Sequence, residues 1–304
     1  MLKESKTDEP QEKFSKVKDY FLLIKFTLSF LVVFSSVFCY LLSPNVVRFD
    51  FIQVLLFFVA GMLVTGGANA INQAMEKKTD AVMRRTAKRP VAAGRMSQTE
   101  AYVFAGITGA LGVGMLWYFF NYQSALLGLF SLFLYGFIYT PLKTVSSIAV
   151  LVGGVPGALP CLIGWVAGFS DGGNNTWAGG WVLFAMQFIW QFPHFWAIAW
   201  LAHQDYTKAG FKLLPSDKGP TKFTALQTVM YSTLMIPVGI LPYYYNISGA
   251  ASMWIIIGCN LWMLFVSVML YVKMNAAAAR KVMFSSYFYL MIVFLSLYAD
   301  KAGT

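Results

Sequence analysis

The sequence has 304 residues, of which 58% are hydrophobic and 12% are charged, and its formal net charge is +10. A soluble domain carries about 25% charged residues, so the composition excludes an ordinary soluble protein and indicates a chain that crosses a bilayer several times. Because we expect no soluble domain that could present a basic face to a duplex, the positive charge does not indicate nucleic acid as a partner.

Nine apolar stretches follow one another along the chain. Each is close to the ~20 residues that a helix needs to cross ~30 Å of hydrocarbon. The stretches are continuous rather than alternating, which predicts an all-α bundle of nine transmembrane helices instead of a β-barrel. The predicted spans are residues 20–43, 49–71, 99–119, 122–140, 146–168, 177–200, 223–246, 250–272 and 282–299. Residues 1–18 are polar and charged, which predicts a disordered cytoplasmic tail.

The basic residues are distributed very unevenly between the two sides of this bundle. With the N-terminus in the cytoplasm, only Arg48 and Lys301 of the 23 Lys and Arg residues lie on the opposite side. Cytoplasmic segments of membrane proteins carry an excess of Lys and Arg. The sequence therefore predicts a cytoplasmic N-terminus, a C-terminus outside, and attraction of the cytoplasmic face to anionic lipids.

A polar loop follows the second span and begins with an amide and two carboxylates. Asn72, Glu76 and Asp80 are spaced four residues apart, so they share one face if the helix continues. Two carboxylates one turn apart repel each other, which favours a cation between them. An oxygen-only set of this kind suits Mg²⁺. The alternative is a solvated helix end held by salt bridges.

Six cations lie between Asn72 and Pro90 in the same loop and change what the carboxylates imply. They are Lys77, Lys78, Arg84, Arg85, Lys88 and Arg89. Carboxylates and cations together indicate a ligand that is both anionic and metal-bound, and a diphosphate satisfies both conditions. For the Lys residues, a purely topological role remains an equal alternative.

A second polar loop follows the sixth span. Asp205, Lys208 and Lys212 occur there at helical spacing, so the carboxylate could complete a metal shell and the ammonium groups could bind phosphate. A routine cytoplasmic loop is the alternative. His194 and His203, the only histidines, are nine residues apart and do not share a helix face, so no paired-histidine metal site is expected. A satisfied buried polar group is preferred over contact with a macrocyclic ligand.

Several strings resemble a known family. They are Asn72-x3-Glu76-x3-Asp80 followed by Met83, Arg85-Thr86 and Arg89-Pro90, then Tyr139-Thr140-x2-Lys143, and then Pro193-His194-Phe195-Trp196 leading to Asp205-Tyr206-x2-Ala209-Gly210. With these strings the chain resembles the UbiA-type intramembrane prenyltransferases, and within them the heme-farnesylating branch, the protoheme IX farnesyltransferases. The matches extend from about Lys25 to Pro215, and the last three spans are similar only in hydrophobicity.

The resemblance implies a single prenyltransferase domain over residues 19–304, with a central cavity that opens to the cytoplasmic side of a bacterial inner membrane. It implies transfer of a farnesyl group from farnesyl diphosphate to a vinyl group of protoheme IX, and a downstream heme A synthase or terminal oxidase as a partner. It also implies residue roles: Mg²⁺ held by Asn72, Glu76, Asp80 and Asp205; diphosphate bound by Lys25, Arg85, Arg89, Lys143 and Lys208; and heme contacted by His194 and Trp196.

The sequence departs from the family pattern at two points. Glu76 stands where many members have Asp, and Asp205 is followed by Lys rather than by a second acidic residue. These departures put two symmetric Mg²⁺ sites in doubt. Two other functions stay open: a prenyltransferase with another aromatic or tetrapyrrole acceptor, and an ion-coupled transporter. The transporter is disfavoured because Lys25 is the only Asp, Glu, Lys or Arg well inside a span, whereas transporters place such groups near the midplane.

Overall fold

A computed structural model describes residues 15–216 and 219–302, and within them helices are joined by loops and turns, with one isolated bridge between Ser248 and Lys301. Residues 1–14 of the predicted tail therefore lie outside the described residues. Ser15 caps α1, which includes residues 16–18. The α-helices are α1 Lys16–Leu23, α2 Phe26–Leu42, α3 Phe51–Met75, α4 Lys77–Val82, α5 Gln98–Phe119, α6 Tyr122–Phe133, α7 Thr140–Leu142, α8 Ala149–Ala167, α9 Ala178–Leu201, α10 His203–Lys208, α11 Lys222–Tyr244, α12 Ala250–Lys273 and α13 Ala276–Ala299.

The all-α membrane architecture is confirmed. In the part of the chain that the structure describes, eight helical segments are long and apolar enough to span a bilayer, and α1 with α2 forms a ninth candidate only as a pair bent by 48°. The third of these segments runs from α6 into α7 through a π-helical turn, Leu134–Tyr139. The bounds follow the predicted stretches closely, except that the last helix begins at Ala276 rather than at residue 282. The predicted nine crossings thus depend on counting the bent pair as one.

The bend between α1 and α2 is stabilised by two amides of α3. Lys25 has φ 49° and ψ 55°, a left-handed conformation that a non-glycine residue rarely adopts. Gln73 Nε2 donates to the carbonyls of Leu22 and Leu23, both at 2.8 Å, and Asn69 Nδ2 donates to that of Ile24 at 3.2 Å. These bonds add donors to the carbonyls around the break, where the regular helical hydrogen bonds are interrupted. They hold Lys25 beside α3.

Glycines allow close helix packing in the two halves of the bundle. In α5, a Cβ on Gly112 would lie 2.9 Å from the Ala60 carbonyl of α3. In α8, a Cβ on Gly164 would overlap the Ser36 carbonyl of α2, whose hydroxyl donates to Pro160 O. Small residues at these positions bring backbones together, as is usual between membrane helices.

Candidate active site

The junction of α3 and α4 places three polar side chains at one end of the bundle. The helix bends at Glu76, which has φ −87° and ψ 14°, yet the amide of Glu76 still donates to Asn72 O and that of Asp80 to Glu76 O, at 2.9 and 2.7 Å. The one-turn spacing is therefore kept through the bend. Asn72, Glu76 and Asp80 are only 0%, 7% and 1% exposed. Their burial distinguishes them from a solvated helix end.

Each of the three residues accepts a hydrogen bond from a cation that the resemblance had assigned to diphosphate. Lys25 Nζ donates to Asn72 Oδ1 at 2.7 Å, and Lys143 Nζ donates to Glu76 Oε1 at 2.9 Å. These contacts join parts of the chain that are far apart in sequence. The α1–α2 bend and the end of α7 thus both deliver an ammonium group to the same helix.

The third contact is an ion pair with an arginine from the loop after α4. Arg89 Nη1 donates to both carboxylate oxygens of Asp80, each at 2.8 Å. The ammonium group of Lys25 interacts electrostatically with Arg89, Lys143, Glu76 and Asp80. The three pairs therefore share one neighbourhood, in which three cations face two carboxylates and one amide.

Lys143 is held from several directions. Its ammonium group lies 4.5 Å from the ring centroid of Tyr139 and 5.8 Å from that of Phe211, and its carbonyl accepts from the amide of Lys212 at 2.8 Å. Burial opposes its charge, but the Glu76 carboxylate, with further contributions from Tyr135 and Tyr206, more than offsets this effect, and the pKa of Lys143 lies above its ordinary value. Lys143 is therefore a permanent cation of the site at neutral pH.

A π-helical turn, Leu134–Tyr139, gives the chain before Lys143 its local geometry. Thr140 follows it, donates from its hydroxyl to the Tyr135 carbonyl at 2.8 Å and accepts from Asn72 Nδ2 at 3.2 Å. Pro141 has no amide hydrogen, so it cannot extend a regular hydrogen-bond ladder. Such turns are frequent at functional sites. Here the turn brings Thr140 and Lys143 to the same side of the bundle as Asn72.

The second polar loop lies against the first. Asp205 and Lys208 of α10 line a cleft of about 250 Å³ together with Arg84 and its neighbours in the first loop. Arg85 Nη2 donates to the Tyr206 hydroxyl at 3.0 Å, and its guanidinium lies 5.7 Å from that ring. The two polar loops predicted from the sequence are thus brought together, with Asp205 and Lys208 at the border between them.

The described carboxylates of the two polar loops do not form one metal-binding cluster. Within residues 15–216 and 219–302, no three His, Cys, Asp or Glu side chains converge on one point, so the structure does not group Asp205 with Glu76 and Asp80. Mg²⁺ usually takes one or two carboxylates and completes its shell with water and substrate phosphate oxygens. Glu76, Asp80 and the Asn72 carbonyl oxygen provide such a partial set.

The two residues predicted to contact heme lie inside helix packing. His194 Nδ1 is 2.7 Å from Ser286 Oγ, and its ring stacks on Trp190 with centroids 5.2 Å apart. Trp196 is buried against Tyr231, with ring centroids 5.1 Å apart. The surroundings of His194 support the preferred interpretation of a satisfied buried polar group. Heme contact by His194 or Trp196 stays a prediction.

Four residues of this region were not recognised as part of the site from the sequence. Asn69 and Gln73 hold the bend that positions Lys25, Tyr135 lies within electrostatic range of Lys143, and Tyr206 joins the two loops. The amides carried a usable signal, because polar groups in a membrane helix are costly unless they have partners. Tyr206 belongs to a string that carries the resemblance but had no role assigned to it, and Tyr135 carries no signal, since the chain has sixteen tyrosines.

Comparison with known proteins agrees with this geometry. A model of the UbiA prenyltransferase family matches residues 31–294, most of the chain. The chain belongs to the UbiA prenyltransferase family. It is an integral membrane member of that family, and the transporter alternative is no longer needed.

Relatives within the UbiA family are close over their whole length. The chain is 41% identical to a protoheme IX farnesyltransferase of Cytophaga hutchinsonii over 94% of this chain and 99% of that protein. It is 40% identical to one of Flavobacterium johnsoniae, over 93% and 94%. A UbiA homolog from Archaeoglobus fulgidus, solved bound to GPP and Mg²⁺, has the same fold with a TM-score of 0.63 at 16% identity, covering 92% of this chain and 99% of that one.

Proposed function

We propose that this chain transfers the farnesyl group of farnesyl diphosphate to a vinyl group of protoheme IX, releasing diphosphate and forming heme O. The observation that carries the proposal is the set of three cation–oxygen pairs at the α3–α4 junction, because it offers both metal ligands and phosphate donors. The acceptor follows from the relatives, which are named protoheme IX farnesyltransferases at 39–41% identity. An intramembrane prenyltransferase with another aromatic or tetrapyrrole acceptor is the alternative.

The first step is loss of diphosphate from C1 of the allylic substrate. The C1–O bond breaks, and its electron pair leaves with the diphosphate. Mg²⁺ held by Asn72, Glu76 and Asp80 would neutralise part of that charge. Lys25, Lys143 and Arg89 donate hydrogen bonds to the phosphate oxygens and stabilise the developing charge more than the ground state. Each of these three donors lies within 2.9 Å of an oxygen of the proposed metal-binding set, so phosphate donors and metal ligands adjoin one another, as a metal-bound diphosphate requires.

The second step joins the farnesyl cation to the heme. The π electrons of the vinyl group form a bond to C1, and the carbocation that results is captured by water, which then loses a proton to give a hydroxyethylfarnesyl group. Premature capture of the first cation by water has to be avoided. The burial of the site at the end of a helical bundle limits water access at this stage. The farnesyl chain and the porphyrin are both apolar, so both can enter from the bilayer.

We assign the residues at the border of the two loops to entry and binding of the diphosphate. Lys208 and Arg85 add donors, and Asp205 supplies a further carboxylate when the loops close on a bound diphosphate. The contact between Arg85 and Tyr206 supports this closure, because it already connects the loops at 3.0 Å.

Incubation of the purified protein with heme b, farnesyl diphosphate and Mg²⁺ tests the proposed reaction. Mass spectrometry is expected to detect heme carrying one hydroxyethylfarnesyl group, and the product is expected to disappear when the metal is chelated. A parallel incubation with an aromatic acid and with chlorophyllide examines the alternative. Farnesylation of either of those acceptors without any change in heme would overturn the proposal.

The proposed setting is the bacterial cytoplasmic membrane, with the N-terminus and both polar loops in the cytoplasm and a heme A synthase or terminal oxidase using the product. Ser97 and Asn174 are exposed at opposite ends of the bundle. In a Cys259→Ser background, Ser97→Cys is expected to react with an impermeant thiol reagent only from the cytoplasmic side, and Asn174→Cys only from outside. Cys39 and Cys161 are buried and serve as internal controls. Labelling of both positions from one side would refute this orientation.

A further inference from the structure

A second cavity lies on the outer surface of the last two helices, separate from the candidate active site. It is a groove of about 810 Å³ between α12 and α13. Trp262, Phe265, Phe284 and Phe288 line it, and more than half of each side chain is exposed. Trp262 Nε1 donates to Ser285 Oγ at 3.0 Å across the groove, so the two walls are tied together. The groove is therefore apolar and faces the bilayer.

Three cations lie at one end of the groove, around the connection between the helices. Lys273, Arg280 and Lys281 are exposed and line it. Within the described parts of the chain, none of the three forms an ion pair with a carboxylate. Residues 250–299 contain no Asp or Glu that could neutralise them. The end of the groove formed by Lys273, Arg280 and Lys281, here called its cationic mouth, is therefore strongly positive, while the rest of the groove is apolar.

The length of the groove suits an acyl chain. On α13 the lining extends from Ala277 to Ile292, which is about 22 Å at 1.5 Å per residue. One leaflet contributes about half of the ~30 Å hydrocarbon core. A chain that starts at the cationic mouth can therefore lie in the groove through its whole leaflet.

We propose that this groove is a binding site for one anionic phospholipid, with its headgroup phosphate on Lys273, Arg280 and Lys281 and an acyl chain along the aromatic wall. A zwitterionic lipid fills the apolar part equally well but lacks the net negative charge that the mouth complements. A second copy of the chain fits poorly, because a symmetric dimer through this face brings the same cations of both copies together. The site is independent of the proposed farnesyl transfer.

Native mass spectrometry of the purified chain with phosphatidylglycerol and with phosphatidylcholine of the same acyl chains tests this assignment. The wild type is expected to bind phosphatidylglycerol preferentially. Each juxtamembrane cation contributes about fivefold to attraction of an anionic lipid, so Lys273→Ala/Arg280→Ala/Lys281→Ala is expected to lower that affinity about a hundredfold. Lys78→Ala/Lys88→Ala/Lys222→Ala, which removes equal charge outside the groove, is expected to leave it unchanged.

A substitution in the apolar part of the groove distinguishes lipid binding in the groove from general attraction to surface charge. A Cβ added at Gly258, which lines the groove, meets no atom within 4 Å, so Gly258→Leu starts from open space, adds bulk to the groove and keeps all three cations. It is expected to weaken phosphatidylglycerol binding severalfold with an unchanged melting temperature. Equal affinity for the two lipids, equal losses in the two triple variants, unchanged binding in Gly258→Leu, or a dimer that covers the groove without phospholipid would each overturn the proposal.

Discussion

Replacement of Glu76 by Gln, or of Asp80 by Asn, is expected to abolish farnesyl transfer to heme. Each substitution keeps the size of the side chain and removes a charge that we assign to the metal. Each also leaves a cation without its carboxylate, Lys143 in one case and Arg89 in the other. Breaking a buried ion pair costs about 3–5 kcal/mol of stability, so turnover has to be measured per folded molecule.

The chain contains a matched control for this stability effect. Asp19 forms a similar ion pair with Arg95 at 2.8 Å, and the two side chains are 3% and 24% exposed, against 1% and 21% for Asp80 and Arg89. Asp19→Asn is expected to destabilise the protein as Asp80→Asn does, yet to keep wild-type turnover per folded molecule. Near-normal activity of both Glu76→Gln and Asp80→Asn would remove these residues from the site.

Replacement of Arg89 by Ala is expected to lower kcat/KM for farnesyl diphosphate by about ten- to a hundredfold while the KM for heme stays unchanged. A charge-assisted hydrogen bond of this kind contributes roughly 1.5–3 kcal/mol, and Arg89→Ala also leaves Asp80 without its partner. Arg89→Lys is expected to recover part of the loss, because an ammonium group keeps the charge but cannot form the bidentate contact of a guanidinium. Lys208→Ala is expected to have a smaller effect, since Lys208 is exposed at the border of the loops.

Steady-state kinetics with each substrate varied in turn measure this effect. Lys78→Ala is the control, because Lys78 is an exposed cation of α4 two residues from Glu76, on the opposite side of the helix. If Arg89→Ala and Lys208→Ala weaken heme use and leave farnesyl diphosphate use untouched, the cations bind the heme propionates instead. The assignment of this neighbourhood to diphosphate would then be wrong.

Much of the fold follows from the sequence because the length and continuity of apolar stretches directly reflect the thickness of the bilayer. The predicted start of α13 is wrong because charged residues are typical of the loops between spans, whereas Arg280 and Lys281 lie in the first turns of this helix. The bend at Lys25 could not be predicted either. It depends on hydrogen bonds from Asn69 and Gln73, which are more than forty residues away in sequence.

The candidate site was predictable in its residue types and less so in its contacts. Helical spacing indicated that Asn72, Glu76 and Asp80 share a face, and this survives the bend at Glu76 because the backbone hydrogen bonds continue. The partner of each residue comes from a different part of the chain, so spacing alone gave no pairing. Lys143 reaches Glu76 through a π-helical turn that has no sequence rule of its own.

Binding of a metal-bound diphosphate at the α3–α4 junction is the step on which the proposed reaction depends. Mn²⁺ takes the same oxygen ligands as Mg²⁺ and is paramagnetic, so its coupling to the phosphorus nuclei of a non-ionisable farnesyl diphosphate analogue can be measured by pulsed electron paramagnetic resonance. The wild type and Asp19→Asn are predicted to show this coupling, and Glu76→Gln and Asp80→Asn are predicted to lose it. An undiminished coupling in both Glu76→Gln and Asp80→Asn would contradict binding of the metal-bound diphosphate at this junction.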